Sequence, residues 1–276
     1  MEYDTATLEL TVKTCRSDMW RTVCEDAIIE CGIEEECFGP VQATVFESLP
    51  DAPNLNLVLG AAEPGAVEEG HLAAAIAWVD RLGVDYRVPV ARGRPGTAPA
   101  EDLLNRKGFE QGRGLLKYVR DASPPTRSGD PAIKVWEIGE EEADGETMAC
   151  GAAPALGLPM LAGSLLFSLP LQEHWRSYTV ELEGKVVSFG SMLLNDGIAW
   201  LGLDATLEEA RGRGCNQILL RERILAAAEA GCTTIFTELE EDGSEGAASA
   251  GRNLLRAGFV PAYRSMNWRR PRVRSL

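Results

Sequence analysis

The stretch Ala210 to Asn216, "ARGRGCN", places two arginines and two glycines together in a chain whose formal charge is −15. An apolar strand pattern, "IAWLGLDAT", precedes it and an alanine- and leucine-rich helical pattern follows. A glycine turn that opens a helix leaves several backbone N–H groups without helical acceptors, at the positive end of the helix dipole. That combination binds anions, phosphates above all. Gly212 and Gly214 keep Cβ atoms out of the way of an approaching phosphate. Arg211 and Arg213 add local positive charge, and the acidic remainder is screened beyond about 10 Å at ordinary salt. Read as a dinucleotide fingerprint, Gly212 and Gly214 are the first two glycines and Glu238, ending the next strand, is the acid. Gln217 then stands where the third glycine belongs, and too little chain follows to finish a doubly wound half.

A length of 276 residues gives a prior of about two domains. No apolar run approaches the roughly 20 residues that span a bilayer. The N-terminus is acidic, so no signal peptide is read and a cytoplasmic location is expected. Seven irregularly spaced cysteines and two histidines, His71 and His174, offer no close ligand pairs, so no metal is expected and the thiols are read as buried on helix faces. The negative charge argues against nucleic acid as a partner, and the basic tail with Arg269, Arg270, Arg272 and Arg274 reads as a solvated end.

Periodicity supplies the elements that must position the loop. A helix is expected from Ser17, as N-cap, to Gly32, then half-buried strands in "VQATVFES" and "NLNLVLGA". A helix ending at Gly83 follows, then a strand that Pro89 pushes to a sheet edge, a helix closed by Gly108, and a strand in "FEQGRGLLKYVRD". The segment "ASPPTRSGDP" has linker composition. It divides the chain into a first domain, 1–125, and a second, 131–270. The second opens with the strand "AIKVWEIG", an acidic helix around "EEEADGETMACG" and a helical stretch near "PMLAGSLLFS". Three strands joined by turns at Glu183-Gly184 and Asn195-Asp196-Gly197 lead to the phosphate loop. A helix to Ala230, the strand "CTTIFTEL", a loop in "EEDGSEGAAS", a helix closed by Gly258 and a last strand finish the chain. "LLNRKGF" and "NLLRAGF", 150 positions apart and in similar surroundings, suggest an internal repeat.

The loop resembles the acetyl-CoA motif R/Q-x-x-G-x-G/A of the GNAT superfamily of N-acetyltransferases. Arg211 and Gly214 match it, and Asn216 departs from it at the final small residue. The strand, loop and helix around it, and "NLLRAGF", resemble the same family over about Ala132 to Trp268. The first half resembles a divergent, shortened second copy, in which "GAVEEG" has glutamates where arginines are wanted, so no cofactor is expected there. Lacking a phosphate loop, it is expected to complete the second domain's sheet or wall its acceptor cleft. The resemblance implies an α/β (α+β) chain of two tandem GNAT-like domains, each a mixed, mostly antiparallel sheet flanked by helices, with the central strands of the second splayed apart.

It also implies a chemistry: transfer of an acetyl group from acetyl-CoA to a primary amine by direct attack on the thioester. Backbone of Leu203, Asp204 and Ala205 would hold the pantetheine arm and donate to the thioester carbonyl. Backbone amides of Arg211, Gly212, Arg213, Gly214, Cys215 and Asn216 would hold the pyrophosphate. Glu238, or else Asp204, would be the base that takes the amine proton. Many members carry a tyrosine acid four residues before the Gly of the Gly-Phe pair; Leu254 stands there, and Tyr263 is a weak substitute. The expected partners are a small-molecule or peptide amine and neither nucleic acid nor membrane, in a monomer or homodimer. The alternative is a non-catalytic acyl-CoA-binding or regulatory module.

Overall fold

The computed structural model describes residues 3–21, 25–125, 132–139 and 142–270. Helix α1 (Thr5–Arg21) and helix α2 (Glu25–Cys31) open the chain. The expected start at Ser17 is corrected. Asp4 caps α1 by accepting from the backbone N–H groups of Ala6 and Thr7. Ser17 is buried within the helix and donates to Glu35 at 3.0 Å. Threonines and valine weaken the local helical signal of "TATLELTV", but burial of Leu8, Val12, Cys15, Met19 and Trp20 outweighs it.

A three-stranded antiparallel sheet follows, in the order β1 (Ile33–Phe38), β2 (Val41–Phe46), β3 (Leu57–Leu59). The exposed, glutamate-rich β1 was not read from the sequence. Strand β2 is buried on both faces rather than half-buried. Val41, Ala43 and Val45 pack with Leu72, Ile76 and Val79 of α3 (His71–Leu82), while Gln42, on the other face, donates to Ser17 at 2.7 Å. Gly83 ends α3 with φ 71°, as its position suggested.

Among the described residues the larger sheet has eight strands. They are β4 (Val88–Ala91), β5 (Glu110–Asp121), β6 (Ile133–Glu137), β7 (Trp175–Leu182), β8 (Lys185–Asn195), β9 (Ile198–Thr206), β10 (Thr234–Glu240) and β11 (Val260–Arg269). Their order is β4-β11-β5-β10-β9-β8-β7-β6. Short helical pieces α5 (Glu142–Thr147), α6 (Ala153–Ala155) and α7 (Gly163–Ser168) lie between β6 and β7. Helix α4 (Thr97–Arg106) leads into β5, α8 (Cys215–Glu229) into β10, and α9 (Glu245–Arg256) into β11. The loop read over "EEDGSEGAAS" is shorter than expected, because Ser244 caps α9 by accepting from Ala247 N–H at 3.0 Å. Strand β4 lies at the edge, where Pro89 costs no ladder bond. The turns at Glu183-Gly184 and Asp196-Gly197 have positive φ at both residues, as two-residue hairpins require.

The sheet crosses the two halves of the chain. Strand β5 lies between β10 and β11, antiparallel to both. Strand β11 in turn lies between β5 and β4. Each half therefore lends its last strand to the other. The two strands leave matching helix ends. Phe109 N–H donates to Leu104 O and Phe259 N–H to Leu254 O, both at 3.0 Å, and Gly108 and Gly258 have φ 79° and 86°. The "LLNRKGF" and "NLLRAGF" motifs thus occupy equivalent places about an approximate two-fold relation between β5 and β11. Among the described residues the first half has one strand fewer before its loop, and β3 meets β4 only through the parallel bridge Leu57–Arg87.

Two side expectations change. Cys37 and Cys150 are exposed, whereas Cys15, Cys31, Cys215 and Cys232 are buried; desolvation pushes the Cys15 thiol up to about 12. Cys24 lies outside the described residues. Arg270 is not simply solvated: it donates to Asp80 at 2.9 Å and stacks on Phe109. Arg272, Arg274 and most of the linker lie outside the described residues. Among the described residues no helix is long and apolar enough to cross a membrane.

Candidate active site

The parallel ladder between β9 and β10 runs from Ile198–Thr234 to Leu201–Thr237 and stops there. Both strands continue, β9 to Thr206 and β10 to Glu240, so they part beyond that point. At the same level β9 carries a bulge. Phe189 faces Ala205 and Ser191 faces Gly202, so Leu203 and Asp204 together oppose Gly190. Leu203 has φ 56°, a left-handed conformation that a leucine adopts only under constraint.

The constraint is Arg223, which is fully buried on α8. Its Nη1 donates to Ser191 O at 2.9 Å and lies 2.6 Å from Asp204 Oδ1, an ion pair off the line of a hydrogen bond. A Cβ on Gly190 would come within 2.5 Å of Asp204 Oδ1 and 2.9 Å of Arg223 Nη1, so only glycine allows the pair to lie across β8. Asp204 is therefore committed to the bulge. The sequence carried a signal for Arg223: it stands on the apolar stripe of α8 with Leu219, Leu220 and Ile224, where a cation is rarely buried unless paired.

Beyond β9 the chain turns through Arg211 to Gly214 into α8. Gly212 and Gly214 have φ 77° and 86°. Among the described residues, no atom beyond the chain neighbours lies within 4 Å of a Cβ built on Gly212, and only Ile133 Cδ1, at 3.9 Å, meets one on Gly214. Among the described residues no side chain caps the helix start. The helix start is thus uncapped, with open space beside both glycines, which suits a pyrophosphate. Of the loop amides expected to hold it, those of Arg211 and Arg213 instead donate to Glu208 O and Ala210 O at 3.2 and 3.3 Å, because the loop folds as tight turns. Arg211 Nε donates to Thr206 O at 3.3 Å, and Arg213 Nη2 to Glu183 at 2.6 Å on the β7–β8 turn. Asn216 Oδ1 accepts from Asn253 Nδ2 at 3.1 Å, tying the loop to α9.

On the other side of the opening, Glu238 is 7% exposed and ion-paired with Lys117 of β5. Lys117 is itself buried and lies 3.5 Å from Glu9 of α1. Tyr263 donates to the same Glu9 oxygen at 2.7 Å. Burial holds the Lys117 ammonium below its ordinary range, against the pull of Glu9, and burial raises the Tyr263 hydroxyl. Neither Glu9 nor Lys117 was read from the sequence, although a lysine inside the apolar run "LLKYV" is a signal of a buried pair. The cavity that Glu9, Lys117 and Glu238 line measures about 410 Å³. Leu203, Asp204 and Glu238 meet Val12, Met19 and Leu57 across it, so the first half of the chain supplies one wall.

Leu254 is buried on α9, packed with Tyr118, Ile218 and Phe259, and carries no donor. His174 is exposed before β7. Installing the tyrosine that Leu254 replaces will overpack this cluster. Leu254→Tyr is expected to cost about 1–3 kcal/mol, lowering Tm by roughly 2–10 °C in a thermal melt. An unchanged or raised Tm would show that the pocket has room for the ring.

No family model matches the chain, and the curated proteins contain no match. Solved structures do match. A GCN5-related N-acetyltransferase from Kribbella flavida superposes with a TM-score of 0.62 at 15% identity, covering 90% of this chain and 92% of that one. One from Sphaerobacter thermophilus gives 0.61 at 17%, covering 85% and 78%. A tandem GNAT protein from the clavulanic acid biosynthesis pathway gives 0.56 at 13%, covering 83% and 77%. Parted central strands, a bulge on one of them and a glycine turn opening the next helix are held in a single architecture: the chain has the fold of the GNAT superfamily of N-acetyltransferases.

Proposed function

We propose that the chain is an acetyl-CoA-dependent N-acetyltransferase acting on a primary amine, with its site in the second of two repeats, 1–125 and 131–270. The observation that carries this reading is the alignment of the uncapped glycine turn at the start of α8 with the gap where β9 leaves β10. When bound, acetyl-CoA supplies an acetyl group activated as a thioester. Backbone N–H groups of Gly212, Gly214, Cys215 and Asn216 hold the phosphate oxygens, with the Arg211 and Arg213 side chains beside them, since the amides of those two arginines are spent on Glu208 O and Ala210 O. Leu203, Asp204 and Ala205 line the gap with main-chain groups that β10 does not use, and one N–H donates to the acyl oxygen. Asp204, held by Arg223, keeps the bulge in shape and is a positioning residue.

Glu238 takes the proton of the acceptor amine, directly or through a water. It shares one ammonium, Lys117, with a second carboxylate, Glu9. Two carboxylates and one ammonium leave the buried cluster at a formal −1, and one proton brings it to zero, a change that burial favours. Water protonates the departing thiolate, since Leu254 has nothing to give.

Calorimetry with acetyl-CoA is expected to give one site per chain. Gly214→Glu places a carboxylate in the phosphate approach and a side chain at φ 86°, so binding should weaken by 100-fold or more, about 2.7 kcal/mol. Unchanged affinity would move the cofactor elsewhere. Leu254 favours one further reading, a non-catalytic acyl-CoA-binding module. Tight binding with no thiol release from any amine would select it.

A further inference from the structure

The charged groups around the cavity do not all find partners. Asp204 is matched by Arg223 and Glu240 by Arg87, at 2.6 and 3.5 Å. Glu9 and Glu238 share Lys117, which leaves a surplus of negative charge there. Arg16 of α1 also lines the cavity, half-buried, and has no ion-pair or hydrogen-bond partner among the described residues. The cavity thus offers one unspent carboxylate charge and one unspent guanidinium. Two further polar groups line it without partners. Ser265 Oγ and Asn267 Nδ2, on residues 0% and 4% exposed, make no hydrogen bond among the described residues. Buried polar groups are nearly always satisfied, and each left open costs free energy. Ser265 and Asn267 stand two apart on β11 and so share a face. Strand β11 is separated from β10, which carries Glu238, by β5 alone, so the two Cα rows lie about 10 Å apart.

Resting on the acetyltransfer reading, we infer that the acceptor is a zwitterionic amino acid. Its amine meets the Glu238–Lys117–Glu9 cluster. Its carboxylate is taken by Arg16, Asn267 Nδ2 and Ser265 Oγ. A carboxylate matches the planar fork of a guanidinium and accepts from amide and hydroxyl donors together. A plain polyamine would add positive charge beside Arg16 and leave both buried donors open.

The test uses the full chain, acetyl-CoA, and matched pairs of acceptors: α-amino acids, lysine, β-alanine and γ-aminobutyrate, each beside its decarboxylated amine. Thiol release gives kcat/KM, and calorimetry in the presence of CoA gives binding without turnover. The acid should be preferred over its decarboxylated partner by about 10- to 100-fold, the size of a charged hydrogen-bond set. In Arg16→Gln that ratio should collapse towards one, and Arg16→Lys should keep part of it. Equal kcat/KM within every pair, or the same ratio in Arg16→Gln, overturns the inference while acetyl transfer stands. If no amine releases thiol, binding decides. Heat from an amino acid that disappears in Arg16→Gln upholds the subsite and removes only the transfer reaction. No amino-acid binding overturns the subsite.

Discussion

A chain cut to residues 132–276 will not fold into an active unit. Strand β5 runs between β10 and β11, in register with β10 from Thr234–Asp121 to Glu240–Leu115. Its loss strips β11 of its longer partner and opens the edge of β10 to other chains. Helix α1 leaves as well, and with it the cover over Phe236 and Trp200, whose cluster contains Leu8, Val12, Met19 and Trp20. Fully burying such side chains is worth about 1.5–3 kcal/mol each. Four of them approach the whole stability of a domain, about 5–15 kcal/mol. The site suffers too, since Lys117 and Glu9 belong to the missing half. The fragment should be insoluble or lack a cooperative melt, and release no thiol from acetyl-CoA. Co-expressing residues 1–125 should restore soluble material as a non-covalent pair, because the interface is a continuous sheet. A monomeric fragment with a sharp melt and full turnover would show that the exchanged strands are dispensable.

What the sequence disclosed and what it hid follow from the range of the interactions. Gly83, Gly108, Gly212, Gly214 and Gly258 announce themselves because each adopts a positive φ that other residues resist. The hairpin turns and the edge position of β4 are equally local, set by Asp-Gly and by the missing N–H of Pro89. The phosphate loop was legible on the same ground, being a turn and a helix start written in consecutive residues. That the first half completes the sheet and walls the cleft was legible from its missing phosphate loop, but the exchange of β5 and β11 was not, since no local signal says which distant strand fills a gap. The repeat hinted at two copies but not at their interlocking. Leu203 shows the limit at a single residue. Its left-handed φ is imposed by a bulge and by Arg223 from another element, and no glycine marks the place. Helix α1 was misjudged because its β-branched residues lower local propensity, while burial against both halves of the chain fixes it as a helix. Asp204, weighed as a base, is seen only in three dimensions to be held by a cation.

Glu238→Gln is expected to lower amine acetylation by about 10²–10⁴-fold, the usual worth of a general base, while acetyl-CoA binding keeps its stoichiometry and affinity. The substitution keeps the shape of the side chain, and its amide oxygen still accepts from Lys117. It also leaves Glu9 and Lys117 as one carboxylate and one ammonium, so the buried cluster becomes neutral before any proton arrives. The sink for the amine proton is then gone, but the fold is not stressed, and Tm should change little. Lys117→Met works in the opposite sense. It leaves Glu9 and Glu238 in a buried site without their shared cation, and removing one partner of a buried pair costs about 3–5 kcal/mol. That variant should lose stability first, with any loss of activity following from it. The two variants therefore separate a chemical role from a structural one, by single-turnover thiol release on one side and thermal melts on the other. Wild-type turnover in Glu238→Gln would take the proton transfer away from this cluster. A large drop in Tm for the same variant would mean that its carboxylate serves the fold rather than the reaction.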